Sequence, residues 1–326
     1  FLLSYMQNIF HFYLFMLLKA LGGSTAGGQV TLVSTVSWFE QKRARALALA
    51  TAGGTLGGLL VVVVAVLVES MGWREALRVM ALVLLLWGLL AGSNVRTRPL
   101  NHHQGKDGIP LPADSNYEDA RRWGAPLNAV LRTRTFWLLA IAQLTMFFAI
   151  TAIVVHHIPY MENSVGISKT AAAVGSAIFA IASLVGRLIA GEAADRFDKR
   201  IVLAVVVMLS VIAMPAFAFV QNLWQSALVL SVIACGTGGA NPIRTALLAD
   251  YFGTRSFGVI NGAATTVGTL GAFLGPWLVG LTVDITDGYT FGFVFTGVIA
   301  LFAIPAVLAS KPPVQLIADY GPGGRG

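Results

Sequence analysis

The chain has 326 residues, 56% of them hydrophobic and only 11% charged, with a mean hydropathy of +0.75. Soluble proteins average about 25% charged residues, so the composition excludes a soluble domain. The formal net charge of +7 comes with no basic face on a soluble fold that nucleic acid could use. The one cysteine, Cys235, lies inside an apolar run, which excludes a disulfide within the chain and a cysteine-based metal site.

Crossing a hydrocarbon core takes about 20 mostly apolar residues, and a lipid-exposed backbone must satisfy its own hydrogen bonds, which selects helix. The predicted spans run 10–38, 43–68, 75–95, 135–158, 171–194, 200–220, 224–249, 257–281 and 289–309. Span 10–38 carries Lys19 in its outer third, beside Phe12, Phe15 and Gly22-Gly23. Two placements are open for it: facing a cavity as a positive charge, or snorkelling to the headgroups. The next gap is basic (Lys42, Arg43, Arg45), and span 43–68 is glycine-rich from Gly53 to Gly58. Segment 96–134 is polar and proline-bearing, and its His102-His103 pair has no partners at metal-ligand spacing.

Span 135–158 ends on His156 and His157, beside Pro159-Tyr160. Histidine titrates near neutrality, so these are either wet interfacial residues or part of a proton relay. Span 171–194 contains Arg187, roughly 7 Å from its centre at 1.5 Å per residue, and closes on the charged turn Gly191-Glu192-Ala193-Ala194-Asp195-Arg196-Phe197-Asp198-Lys199-Arg200. Charge within a membrane helix costs at least roughly 2.5–3.5 kcal/mol, which singles out Arg187. In span 224–249, Arg244 follows the kink-forming step Asn241-Pro242, with Asp250 at the edge; it is expected to cap or snorkel inward, with substrate binding the alternative. Small-xxx-small pairs Gly53/Gly57, Gly54/Gly58, Gly258/Gly262 and Gly271/Gly275 predict close helix packing.

Basic and non-basic gaps alternate without a break, so the positive-inside rule assigns the first set to the cytoplasm, together with linker 96–134 and tail 311–326. Two stretches repeat. Trp38-Phe39, Arg43 and Gly54-Thr55-Leu56-Gly57-Gly58 correspond to Tyr251-Phe252, Arg255 and Gly268-Thr269-Leu270-Gly271-Ala272. The copies share an orientation and lie six spans apart, as in two parallel six-helix halves. The expected fold is therefore an all-α polytopic membrane bundle of two pseudo-symmetric halves. The first half (1–95) is incomplete, with about three spans and a stub from a chain truncated at its N-terminus. The second (135–310) has six spans.

In this arrangement the chain resembles the major facilitator superfamily. Gly191-x3-Asp195-Arg196-x2-Lys199-Arg200 between two spans is similar to that family's cytoplasmic loop signature, departing at Asp198, where glycine is usual. Trp38-Phe39 with Arg43-Ala44-Arg45-Ala46-Leu47-Ala48, the turn Gly72-Trp73-Arg74 and the pair Arg187-x3-Gly191 resemble its monocarboxylate transporter and oxalate–formate antiporter branch. The resemblance implies a secondary active transporter of a small organic anion, a monocarboxylate first, working by alternating access in the cell membrane. It also implies substrate binding by Arg187, whose planar fork fits a carboxylate, with Lys19 as a second charge. Snorkelling is the competing placement for Arg187. The branch's accompanying aspartate is replaced by Ser183, and span 257–281 lacks the branch's lysine, which disfavours oxalate.

Gly191, Asp195, Arg196 and Arg200 are expected to form a gate with Arg43 and Arg45 at the start of span 43–68; local pairing of Asp195 with Arg196 or Lys199 is the alternative. The expected partners are the anion, a coupling proton and the bilayer, with the chain a monomer, no cofactor or metal, and no enzymatic activity. Alternative functions are a substrate-sensing receptor on a transporter fold and an integral membrane enzyme.

Overall fold

A computed structural model describes residues 1–26, 28–94, 106–109 and 123–321; His102, His103 and most of the predicted linker lie outside them. The helices are α1 (Ile9–Ala26), α2 (Gly28–Trp38), α3 (Arg43–Leu59), α4 (Val61–Asn94), α5 (Leu127–Val130), α6 (Arg134–Asn163), α7 (Lys169–Arg196), α8 (Lys199–Phe217), α9 (Leu223–Phe252), α10 (Phe257–Thr286), α11 (Thr290–Leu301), α12 (Ala303–Ala309) and α13 (Val314–Tyr320). The apolar runs become helices, and polar residues set where they begin. Thr133 Oγ1 accepts the Phe136 N–H at 3.3 Å, and Asn222 Oδ1 accepts the Gln225 N–H at 2.9 Å. Each supplies an acceptor for a donor that a helix start otherwise leaves open.

Among the described residues, eight helices are long and apolar enough to cross a membrane, one fewer than the nine predicted spans. The difference falls on span 43–68. Helix α3 stops after 17 residues, where the Leu60 N–H turns back to the Gly57 carbonyl at 3.2 Å, just past a glycine-rich stretch whose backbone is weakly constrained. The remainder of that span joins α4, which breaks at Gly72 (φ 79°). A left-handed φ of that size favours glycine, so the predicted Gly72-Trp73-Arg74 turn is present and divides α4 into two helical segments.

The gaps marked as basic in the sequence meet at one end of the bundle. There the α2–α3, α7–α8 and α9–α10 turns lie together, and Thr135 Oγ1, at the start of α6, donates to the Lys311 carbonyl beyond α12 at 2.7 Å. At the opposite end Tyr160, Phe217 and Phe293 form an aromatic cluster with centroids 5.2–5.4 Å apart, tying α6, α8 and α11. Such pairs add about 0.5–1.5 kcal/mol each beyond burial.

Glycine governs the closest helix contacts. A Cβ on Gly186 would run into the Cys235 backbone, and one on Gly238 into Ser183, so α7 and α9 touch main chain to main chain. A Cβ on Gly271 or Gly275 would likewise strike the Leu144 or Phe148 carbonyl of α6. The matching face of α3 behaves differently: a Cβ on Gly53, Gly54 or Gly57 would have nothing within 4 Å among the described residues. Among the described residues, Gly271/Gly275 is the predicted packing pair that is wholly engaged; a Cβ on Gly258 would sit 3.3 Å from Val33 of α2, while one on Gly262 would stand clear.

Candidate functional site: a charged latch between the halves

Helix α3 has no capping side chain of its own, since Lys42 occupies its N-cap. Its first N–H groups therefore need outside acceptors. Asp195, at the end of α7 in the other half, supplies them: the Ala44 N–H donates to Oδ1 at 2.9 Å and the Arg45 N–H to Oδ2 at 3.0 Å. A carboxylate here meets about half a positive charge from the helix dipole as well as the two donors. Gly191, one turn earlier, permits the approach. A Cβ there would sit 2.8 Å from Ala48 Cβ and 3.2 Å from the Ala44 carbonyl, forcing α7 away from α3.

Side-chain ion pairs surround this cap. Arg43 is only 4% exposed; its Nη1 pairs with Asp250 of α9 and its Nε donates to the Phe39 carbonyl at 3.1 Å. Asp250 also holds Lys199 Nζ at 3.0 Å. Arg45 Nη1 lies 3.1 Å from Glu192, which Arg196 holds on its other side at 2.6 Å. Of the predicted gate residues, the structure brings Arg43, Arg45, Gly191 and Asp195 together across the halves. Arg196 and Arg200 pair within their own half, with Glu192 and with Asp198. Asp198 lies between the two spans, and its hydrogen bond from Arg200 holds the carboxyl below the usual carboxylate range.

The linker braces the same turns. Asp107 accepts N–H groups of Glu40 and Gln41 at 3.0 and 2.9 Å, and Lys106 pairs with Glu40 at 3.0 Å. On the matching turn of the second half, Trp123 O accepts the Thr254 N–H at 3.1 Å and the Ala125 N–H donates to the Phe252 carbonyl at 3.0 Å. A Cβ on Gly253 (φ 80°) would collide with Trp123.

Deeper in α7, Arg187 reaches across the halves and donates from Nη1 to the Thr51 carbonyl of α3, while its buried Nε has no partner among the described residues. It forms no ion pair among them. Lys19 is exposed on α1, away from this cluster. His157 is 7% exposed: its Nδ1 lies 3.0 Å from the Ile153 carbonyl and its Nε2 2.8 Å from Ser176 Oγ, so it joins α6 to α7. His156 Nε2 lies 2.9 Å from the Pro276 carbonyl of α10. Helix α6 continues past both to Asn163, so the histidines sit inside a helix, not at its end. A separate cleft lies among α6, α8, α9 and α11, with Met146, Ser210, Met214, Thr237 and Asn241 in its wall; none of the predicted site residues lines it.

Sequence reasoning passed over Asp250 and Glu192 as partners. Asp250 precedes the repeated aromatic pair, at the place where the first copy has Ser37. A lone carboxylate there, opposite a basic helix start, was the available signal.

The fold and the latch define a polytopic helical membrane protein whose two halves meet through charges at one end. The model of the major facilitator superfamily matches residues 1–160 and 157–319, and the chain belongs to that superfamily. It is 25% identical over 322 residues to the aspyridones efflux protein apdF of Emericella nidulans, covering 96% of this chain and 61% of that protein. It is 28% identical over 198 residues to the probable nitrate/nitrite transporter NarK2 of Mycobacterium tuberculosis, covering 58% of this chain and 49% of that one. The chain thus spans about half to three fifths of the length of these curated relatives. Among solved structures, the E. coli fucose:proton symporter FucP superposes with a TM-score of 0.66 at 14% identity, covering 86% of this chain and 72% of FucP. At that identity the likeness concerns the fold alone.

Proposed function

We propose that this chain belongs to a secondary active transporter of a small organic anion, a monocarboxylate first, that works by alternating access with its basic end in the cytoplasm. The observation that carries the reading is the Asp195 cap on α3, a contact between halves formed only while their basic ends are together. It supports a state closed on the cytoplasmic side. The monocarboxylate transporter-like branch rests on the Trp38-Phe39 and Arg187-x3-Gly191 motifs. Arg187 is the proposed substrate ligand. In this state its Nη1 rests on a backbone carbonyl, a neutral partner that an anion can displace without breaking an ion pair. Lys19, His156 and His157 remain secondary candidates, for a second charge and for proton movement.

The names of the relatives add one competitor, since nitrate is also a small planar oxyanion. Uptake of labelled lactate, pyruvate, formate, nitrate and oxalate into proteoliposomes separates the classes. Uptake of a monocarboxylate above the others supports the proposal. Nitrate uptake with none of the carboxylates overturns the substrate class, and no uptake of any anion that the protein demonstrably binds overturns transport.

A further inference from the structure

Arg244 of α9 is 2% exposed, yet it has no carboxylate partner among the described residues. Its Nη2 is shared by three neutral oxygens, Asn241 Oδ1 at 3.2 Å, Thr245 Oγ1 at 3.2 Å and Asn261 Oδ1 at 3.1 Å, while Nε and Nη1 have no hydrogen-bond partner there. A buried charge without a counter-charge is strongly destabilising. The same molecule supplies the contrast: Arg43, equally buried, has Asp250, and Asp250 is committed to Arg43 and Lys199. The shell around Arg244 is polar and uncharged, which leaves the guanidinium free to take an anion and surrounds it with amides and hydroxyls that hydrogen-bond oxygen.

The position of Arg244 matters as much. Gly186 of α7 lies against Cys235 of α9, and Gly239 against Ala190 and Gly186, so Arg187 is level with residues near 237. Arg244 then lies roughly 10 Å nearer the basic end at 1.5 Å per residue, between Arg187 and the latch. A side chain of the other half reaches this shell: Asn261 Nδ2 donates to Gln29 Oε1 of α2 at 2.9 Å, so the residue that fixes Arg244 also bonds across the halves.

We infer that Arg244 is a second anion site, for a small planar oxyanion such as a carboxylate or nitrate, lying on the basic-end side of Arg187 and closed over by the Asn261–Gln29 bond. The inference shares with the transport proposal the premise that the halves part at the basic end, but its test is binding, which does not require transport. Purified protein is titrated with sodium formate and with sodium nitrate against equal sodium chloride, whose anion has no planar oxygen fork, and the unfolding midpoint is read.

In Arg187→Gln, where the first proposed site is gone, either probe is expected to raise the midpoint by about 2–6 °C at saturation, and Arg187→Gln/Arg244→Gln is expected to lose that rise. A rise that disappears in Arg187→Gln alone, or persists in the double variant, overturns the inference. So does the absence of any rise with both arginines intact, whatever uptake shows. If Arg244→Gln does not accumulate, Arg244→Lys in the Arg187→Gln background serves instead. It keeps the charge but loses the planar fork, and the half-stabilising concentration is expected to increase about tenfold; an unchanged concentration overturns the inference.

Discussion

Replacing Asp195 by Asn removes a charge from the start of α3 and leaves one oxygen where two received N–H groups at 2.9 and 3.0 Å. The helix-dipole contribution is about 0.3–1 kcal/mol at the surface and up to ~2 when partly buried. Asp195 is half-buried, and one of its two donors also loses its acceptor, at about 1–3 kcal/mol if that donor stays dry. Water reaches an opened latch, so the lower part of the combined range applies, about 1–3 kcal/mol. At 1.4 kcal/mol per tenfold, the ratio of open to closed states at the basic end should rise roughly 5- to 150-fold. The assay is alkylation of Thr51→Cys, a near-isosteric reporter on α3 where Arg187 crosses, in a Cys235→Ser background. Its labelling rate should rise by a factor in that range when Asp195→Asn is added, with the elution profile of the folded protein unchanged. A rate within twofold of the parent in folded protein would refute the reasoning and leave Asp195 a local cap of no conformational consequence.

Arg43→Gln leaves Asp250 with Lys199 alone and should cost about 1–3 kcal/mol in thermal unfolding, partly recovered in Arg43→Gln/Asp250→Asn; strictly additive effects would show the pair to be uncoupled. Arg187→Lys should lower anion uptake about tenfold or more by losing the planar fork, and unchanged apparent affinity in Arg187→Ala would favour snorkelling. Gly271→Leu, driven into the Leu144 carbonyl, should destabilise by about 1–3 kcal/mol, whereas Gly57→Leu on the matching face of α3 should not; equal losses in unfolding midpoint would refute the packing argument. Asn222→Cys should react with an impermeant thiol reagent outside intact cells, and labelling of Gly105→Cys there would reverse the proposed orientation.

Helical class and most span positions were legible because continuous apolar runs of this length have few other outcomes in lipid. The gathering of basic gaps at one end followed from their alternation. Asp195 was locatable through its motif, and its target through the repeat. The acceptor for Arg187 was not, because a backbone carbonyl such as that of Thr51 carries no residue identity. The separation of spans 43–68 and 75–95 was legible in Gly72-Trp73-Arg74, where the helix path breaks, whereas the division of span 43–68 at Leu60 was not, because hydropathy is insensitive to a glycine-rich break. Helix-end reasoning put the histidines at the end of α6, but Pro159 lies inside it; a helix packed on neighbours can keep a proline that would end an isolated one. The glycine pairs read alike in both copies, yet among the described residues Gly271 and Gly275 of α10 meet α6, while a Cβ on Gly53, Gly54 or Gly57 of α3 would have no neighbour within 4 Å.

The two ion pairs that brace the α3 start differ in their contact with solvent. The Arg43 and Asp250 side chains are 5% and 27% exposed, whereas Arg45 and Glu192 are 53% and 36% exposed. At physiological ionic strength, charges in water are screened over about 8 Å, and buried pairs much less. Added electrolyte on that side should weaken the Arg45–Glu192 rim while leaving the Arg43–Asp250 core nearly untouched. On the proposed gating role, the balance between closed and open would then follow the ionic strength of the compartment facing the latch, without any ligand being bound.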